Sequence, residues 1–252
     1  MRPEMTMPRI YTSSWTLFPS MNAVGAARFS AKEGFAGIEL ACDEPIEFWP
    51  TAVPDSTIAE LAAIGDGEGI GYAIHAPDSL NPATSLPEGM ARDDEIIKRL
   101  VDWAERLSSP VLGVHPGVVH TLFGLERHGV RFATERHDPL RLVEEARMRA
   151  VETLGRWAEM AAQAGLMLTV ENEVHVRHTA AATAEILADM IAEMRRHDVG
   201  VNLDTGHAII GGGLAEEFAV LKDRIVHFHL NDGKTHGVSE HLPLGEGRAD
   251  FS

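Results

Sequence analysis

The chain has 252 residues, 44% of them hydrophobic, enough to bury the core of one large α/β domain or two small ones. Its 22 Lys and Arg stand against 38 Asp and Glu, a formal net charge of -16 that repels polyanions and counts against nucleic acid as a partner, but not against a small sugar or a metal ion. The single Cys42 cannot form an intrachain disulfide, and neither a signal-peptide core nor a run near the roughly 18 apolar residues of a membrane span is present, so a cytoplasmic protein without membrane contact is expected.

Arg9 to Ser14 reads as a first strand and Ala23 to Lys32 as a helix closed by Gly34. Phe35 to Leu40 is the second strand, Asp55-Ser56 caps a helix running to Ile64, and Ile70 to His75 is the third strand. After a polar loop, Asp93 to Leu107 places Ile97, Leu100, Val101, Ala104 and Leu107 on one helical face. The fourth strand is Val111 to His115. Gly117 to Asp138 has little periodicity and reads as a long loop over one end of the fold. A long helix over Pro139 to Gln163 ends before Gly165, and the fifth strand is Leu166 to Glu171. A helix over Ala180 to Arg195, a strand over Val199 to Asp204, a short helix over Leu214 to Leu221 and a strand over Arg224 to Leu230 complete the pattern.

Strands alternating with helices at this spacing imply parallel strands joined by right-handed crossovers. Side-chain parity then separates a closed barrel from an open doubly wound sheet. Gly37, Gly71, Ala73, Gly113, Thr169, Asn202 and His227 share one face with the polar strand ends, whereas Ile38, Ile74, Val114, Val170, Leu203 and Phe228 share the other. A small, polar inner face behind an apolar outer face predicts a TIM-type (β/α)8 barrel with its reactive groups at the C-terminal rim.

The apolar runs end on Glu39, His75, His115, Glu171, Asp204 and His229, with His207 one turn past Asp204. Imidazoles mixed with carboxylates, and no thiolate, suit Mn, Zn or Fe better than Ca. Burying so many ionisable groups with no cation among them would be very costly.

Several short motifs carry a family resemblance: His75-Ala-Pro with Leu80-Asn81 following, Val114-His-Pro-Gly117, Val170-Glu-Asn172, Leu203-Asp-Thr-Gly-His207, His229-Leu-Asn-Asp232 and His241-Leu-Pro-Leu-Gly-Glu-Gly247. With these, nearly the whole chain resembles the xylose-isomerase-like TIM barrels, which include sugar phosphate isomerases and epimerases and the endonuclease IV repair enzymes. The resemblance implies a central divalent ion on Glu171, Asp204 and His229, and in multi-metal members a second on His75 and His115 bridged by Glu171. It implies a third on His207 and His241, although Ser239, beside Glu240, stands where the family has an Asp.

The chain stops at Asp250-Phe-Ser252, where the family's seventh helix would begin. A single barrel domain over 1–252 is therefore expected, C-terminally incomplete, without the eighth strand and the Glu it carries in the family. The edges of strands one and seven would be left unpaired.

These features predict a divalent-metal-dependent sugar or sugar phosphate isomerase or epimerase that moves a proton next to a carbonyl. Glu171 is the expected base, and Glu39 and Asp232 the expected contacts to substrate hydroxyls. Two alternatives stay open: an endonuclease IV-like phosphodiesterase at abasic DNA, poorly matched by the shortage of basic residues, and a truncated metal-binding remnant without activity. The expected partner is a small sugar; a homo-oligomer is left open. His175 and His178, like His120, His128 and His137, read as solvated loop residues. Trp103 and Trp157 read as packing groups, Lys234 as a weak phosphate signal, and Glu246 as part of the turn holding His241.

Overall fold

The structure is a computed structural model that describes residues 8–44, 46–119, 139–173, 179–211, 213–234 and 241–249. Seven parallel strands form one sheet in sequence order: β1 (Tyr11–Ser13), β2 (Gly37–Ala41), β3 (Gly71–His75), β4 (Val111–Val114), β5 (Met167–Glu171), β6 (Val199–Asp204) and β7 (Ile225–His229). Eight helices accompany them among the described residues: α1 (Ser14–Leu17), α2 (Ala23–Lys32), α3 (Asp55–Glu68), α4 (Pro87–Arg106), α5 (Pro139–Gln163), α6 (Ala184–Glu193), α7 (Thr205–Gly211) and α8 (Leu214–Leu221).

In a flat sheet β2 and β7 would lie about 24 Å apart, five strand spacings. Yet Glu39 of β2 touches His227 and His229 of β7, each at 2.8 Å. The sheet is therefore wrapped around an interior. This is the expected α/β barrel in a seven-stranded form, and among the described residues the outer edges of β1 and β7 have no partner strand.

The alternation read from sequence sets the two surfaces. Outward residues from β2 to β6, among them Ile38, Leu40, Ile74, Leu112, Val170 and Leu203, are at most 2% exposed beneath the helices. Inward residues toward the C-terminal rim are small or polar, while Tyr11, Val111 and Met167 fill the opposite end. On β7 the outward Phe228 is 45% exposed, because no helix follows this strand among the described residues. A bulge aligns β7 with its neighbour: Val201 pairs with Ile225 but Asn202 with His227, so β7 spends one extra residue there. The shift sets His227 beside Asn202 and His229 beside Asp204, with all four facing inward.

Several boundaries differ from expectation for local reasons. The fourth helix begins at Pro87, six positions before Asp93, because proline is accepted in a first helical turn while the buried stripe starts only at Asp93. The third helix runs through Gly65 and Gly67 to Glu68 and ends on Gly69 in the left-handed region, at φ 70°. Thr183 starts α6 by accepting the Ile186 amide, later than the expected Ala180. Neither α1 nor α7 was anticipated; each is too short to display a period. Most of the expected long loop lies outside the described residues.

Trp103 and Trp157 are fully buried, as expected of packing groups, and the Trp157 indole N–H donates to Asp94 Oδ1 at 2.7 Å, joining α5 to α4. Leu100, on the same buried stripe, is fully enclosed, whereas the Lys98 side chain is 57% exposed. Leu100→Ala is expected to cost about 2–5 kcal/mol in urea unfolding, and Lys98→Ala less than about 0.5 kcal/mol. Equal effects would show that α4 does not present this face to the sheet.

Candidate active site at the C-terminal rim

The strand ends deliver their polar residues to one place. His75, Glu171, Asp204 and His229 are the last residues of β3, β5, β6 and β7, and His115 follows β4. His207 sits in the first turn of α7, its amide donating to Asp204 Oδ1 at 2.8 Å. His241 closes on it from a separate loop.

Four groups of donor atoms result, each within 4.8 Å: His75–His115–Glu171, Glu171–Asp204–His229, Asp204–His207–His241 and Glu39–His227–His229. Glu171 Oε2 lies 3.1 Å from both His75 Nε2 and His229 Nδ1, and Asp204 Oδ2 lies 3.7 Å from His229 Nδ1 and 3.8 Å from His241 Nε2. His207 Nδ1 donates to the Asn172 carbonyl at 2.8 Å, so in the neutral ring Nε2 carries the lone pair, and it points at His241 Nε2 3.1 Å away. Donors about 2.0–2.2 Å from one divalent ion stand roughly 3–3.5 Å apart. The residues of the first three groups fit a cation by type and spacing. The fourth group has closer contacts, 2.8 Å from each histidine to Glu39, which are direct hydrogen bonds.

The surrounding polar residues hold these side chains in place. Asn172 accepts the Asp204 amide at 2.7 Å through Oδ1 and donates through Nδ2 to the Asp204 carbonyl and to Glu217. Asn231 donates to Asp204 Oδ2 at 2.7 Å and is itself pinned by Thr205. Asn202 Nδ2 donates to Glu171 Oε2 at 2.8 Å. Asn81 clamps the loop after β3 to the segment after β4 through both Val118 N–H and Val118 C=O. Gly113 is required by crowding: a Cβ there would stand 2.9 Å from His75 Cδ2.

Charge is balanced locally. Burial alone would push Glu171 toward its neutral form, but His229, His75 and His115 hold its carboxyl well below the usual range. Burial likewise opposes Glu39, and His229 and His227 keep it ionised. For His229, burial favours the neutral ring, yet Glu171 and Glu39 raise it well above the ordinary value; at His115 Asp78 and Glu173 do the same. His75 is raised, against its burial, chiefly by Glu171. Asp43, just past β2, is pushed up to about 6 by burial and then by Asp78.

The structure brings together His75, His115, Glu171, Asp204, His207, His229 and His241, all the residues that sequence reasoning assigned to metal. Glu39 and Asp232 are differently placed from the expected substrate contacts. The second strand continues to Ala41, so Glu39 sits in register with Ala73, one inward layer below His75, with both oxygens engaged by histidines. Asp232 is fully buried; Oδ1 accepts the amides of Gly233 and Ala249, and Oδ2 those of Gly245 and Gly247. It anchors the loop that carries His241. A Cβ at Gly247 would fall 2.1 Å from its Oδ1, so only glycine admits this contact. Lys234 and Glu246 are exposed. His120, His128, His137, His175, His178, Ser239 and Glu240 lie outside the described residues.

Sequence reasoning passed over the chemistry of His227, Asn202, Asn172, Asn231, Asp43 and Asp78. For His227, Asn172 and Asn231 a signal existed: each stands next to, or two residues from, a strand-end ligand. Asp43 and Asp78 carried none, since both lie in loops whose path the sequence does not give.

Compared with known proteins, residues 27–252 match the family described as Xylose isomerase-like TIM barrel. The chain belongs to that family. It is 27% identical over 225 residues to the uncharacterized protein MJ1311 of Methanocaldococcus jannaschii, covering 88% of this chain and 69% of the other. It is 24% identical over 252 residues to the L-ribulose 3-epimerase of Methylomonas sp., covering 96% of this chain and 75% of that enzyme. Among solved structures, a D-tagatose 3-epimerase-like protein superposes with a TM-score of 0.79 at 24% identity, over 97% of this chain and 83% of the other. At that identity the structural likeness is one of fold. No helix among the described residues is long and apolar enough to cross a membrane.

Asp232→Ala should free the loop over 241–249. Its effect is read by hydrogen exchange at the amides of Gly245, Gly247 and Ala249, where protection is expected to fall about tenfold or more. Unchanged protection would show that other contacts hold the loop.

Proposed function

We propose that the chain is a divalent-metal-dependent epimerase of free ketose sugars, working at the carbon next to the carbonyl. The observation that carries this is Glu171. It is buried at the centre of the rim, shared between the His75–His115 and Asp204–His229 groups, and kept ionised by imidazoles. Relatives and structural neighbours that are sugar 3-epimerases, including the L-ribulose 3-epimerase and a D-allulose 3-epimerase, support the substrate class.

Glu171, Asp204 and His229 would hold the central ion, with His75 and His115, and His207 and His241, as further ligands. An ion there would supply a Lewis acid for adjacent oxygens of a hydroxy-carbonyl sugar, making the C–H between them more acidic. The part of Glu171 is to accept that proton through a carboxylate oxygen. Delivery of a proton to the opposite face of the same carbon, from a donor on that face while Glu171 keeps the one it took, gives the epimer; return of the Glu171 proton to the neighbouring carbon gives the aldose-ketose isomer. The carboxylates around the rim, Asp43, Asp78 and Glu173 among them, favour a neutral polyol over a phosphate ester. They disfavour the competing phosphodiesterase reading for the same reason, since a DNA backbone is gripped by basic side chains.

Elemental analysis of protein purified without added metal and without a His tag is expected to find Mn, Zn or Fe, lost on Asp204→Ala. Incubation with D-tagatose or L-ribulose in deuterium oxide should then label the exchanging carbon, and Glu171→Gln should slow labelling by about 10²–10⁴-fold. A folded protein without metal and without exchange would overturn the proposal.

The histidines give a pH dependence whose sign is fixed. His75, His115 and His229 are held toward their protonated forms in the metal-free protein, and a ligand imidazole must give up its proton. Mn²⁺ affinity should therefore rise with pH and still be rising above the ordinary histidine range near 6.5. Titrations between about pH 6 and 8 that gave a constant affinity would contradict this.

A further inference from the structure

Glu39 is absorbed by neither the expected substrate contact nor the cation groups fitted above. We infer that it is a positioning residue for His229, fixing which ring nitrogen of that histidine faces the central cation site. The inference rests on the cation reading of the Glu171–Asp204–His229 centre.

His229 has two ring nitrogens in two environments. Asn202 Nδ2 lies 3.0 Å from Nε2 and 3.2 Å from Nδ1, but only Nε2 meets Glu39, with Oε1 at 2.8 Å, whereas Nδ1 faces Glu171 Oε2 at 3.1 Å and Asp204 Oδ2 at 3.7 Å. A carboxylate can only accept, so the Nε2 atom must carry the hydrogen that it donates to Glu39. In the neutral ring Nδ1 is then the lone-pair atom, and it is the one turned toward the two central carboxylates. A metal-binding imidazole commonly has its remote N–H tied to a carboxylate in this way, which sets both tautomer and ring plane.

Two further features single out Glu39 for this role. Its second oxygen is engaged by His227 Nε2 at 2.8 Å, so the carboxylate is held between two rings of one strand and has little freedom to swing toward a ligand of its own. It also lies a layer below the rim, in register with Ala73, and is 7% exposed, which places it behind His229 rather than in the substrate's path. The bulge in β7 that turns His227 and His229 inward completes the arrangement.

The test uses the full chain and Mn²⁺, with free ion counted by electron paramagnetic resonance. Glu39→Gln keeps an oxygen that accepts the His229 hydrogen, whereas Glu39→Met keeps the volume and removes the acceptor. The expected result is affinity within about threefold of wild type for the Gln variant and about 10–100-fold weaker for the Met variant. Equal affinities for Met and wild type, while Glu171→Ala abolishes binding, would overturn the inference alone. Wild-type protein that binds no Mn²⁺ would instead overturn the cation reading beneath it. Nitrogen-15 shifts of His229 in zinc-loaded wild-type protein give a readout independent of variant folding. Protonated Nε2 with metal-shifted Nδ1 is expected, and the opposite tautomer would refute it.

Discussion

The structure turns on one carboxylate placed where a carboxylate is expensive. Glu171 is 3% exposed, and an isolated ionised group at such a site would protonate rather than remain charged. It stays ionised because three imidazoles reach it from β3, β4 and β7. Those imidazoles in turn are raised by the carboxylates around them. Each group is tolerable only in the company of the others, so the rim is one electrostatic unit rather than a set of pairs. Removing one member would leave a buried charge uncompensated.

The barrel is what makes that company possible. A parallel strand sends alternate side chains to opposite faces, so the residues that end each strand share an interior with whatever fills the layers below. Here Ala73, Thr169 and Asn202 lie on the inner face below the strand ends, and Gly113, in register with His75, leaves room for its ring. The outer face bears the opposite demand and meets it with Ile, Leu and Val closed under helices. The one irregular pairing, between β6 and β7, falls where two histidines must face inward in step with Asn202 and Asp204.

This division explains what could be read from the sequence. Strand ends are legible because an apolar run that stops on Glu or His is a local pattern, and the motifs that resemble the family identified His207 and His241 as well. Reach was not legible. The pattern makes Glu39 the end of an apolar run and a substrate contact, whereas the strand runs on to Ala41 and the Glu39 carboxylate crosses the interior to β7. Asp232 sits in a motif beside a ligand, and only the return of the chain over 245–249 shows that its oxygens are taken by backbone amides. Helix starts failed where a first-turn proline or a cap, not periodicity, decides them, at Pro87 and Thr183.

The same unit bears on how an unpaired sheet keeps its curvature. Among the described residues β1 and β7 form no ladder with each other, and the outward Phe228 of β7 lacks a helical cover, so hydrogen bonding along the sheet does not by itself hold β7 against β2. The span is bridged by Glu39, which takes a hydrogen bond from each of two β7 histidines. Charge-assisted bonds of this kind contribute about 1.5–3 kcal/mol each when well aligned. That is comparable with the burial of one aliphatic side chain, of the order of 2 kcal/mol. The contact between β2 and β7 thus involves the residue that orients a ligand, so one carboxylate takes part both in closing the interior and in the geometry of its centre.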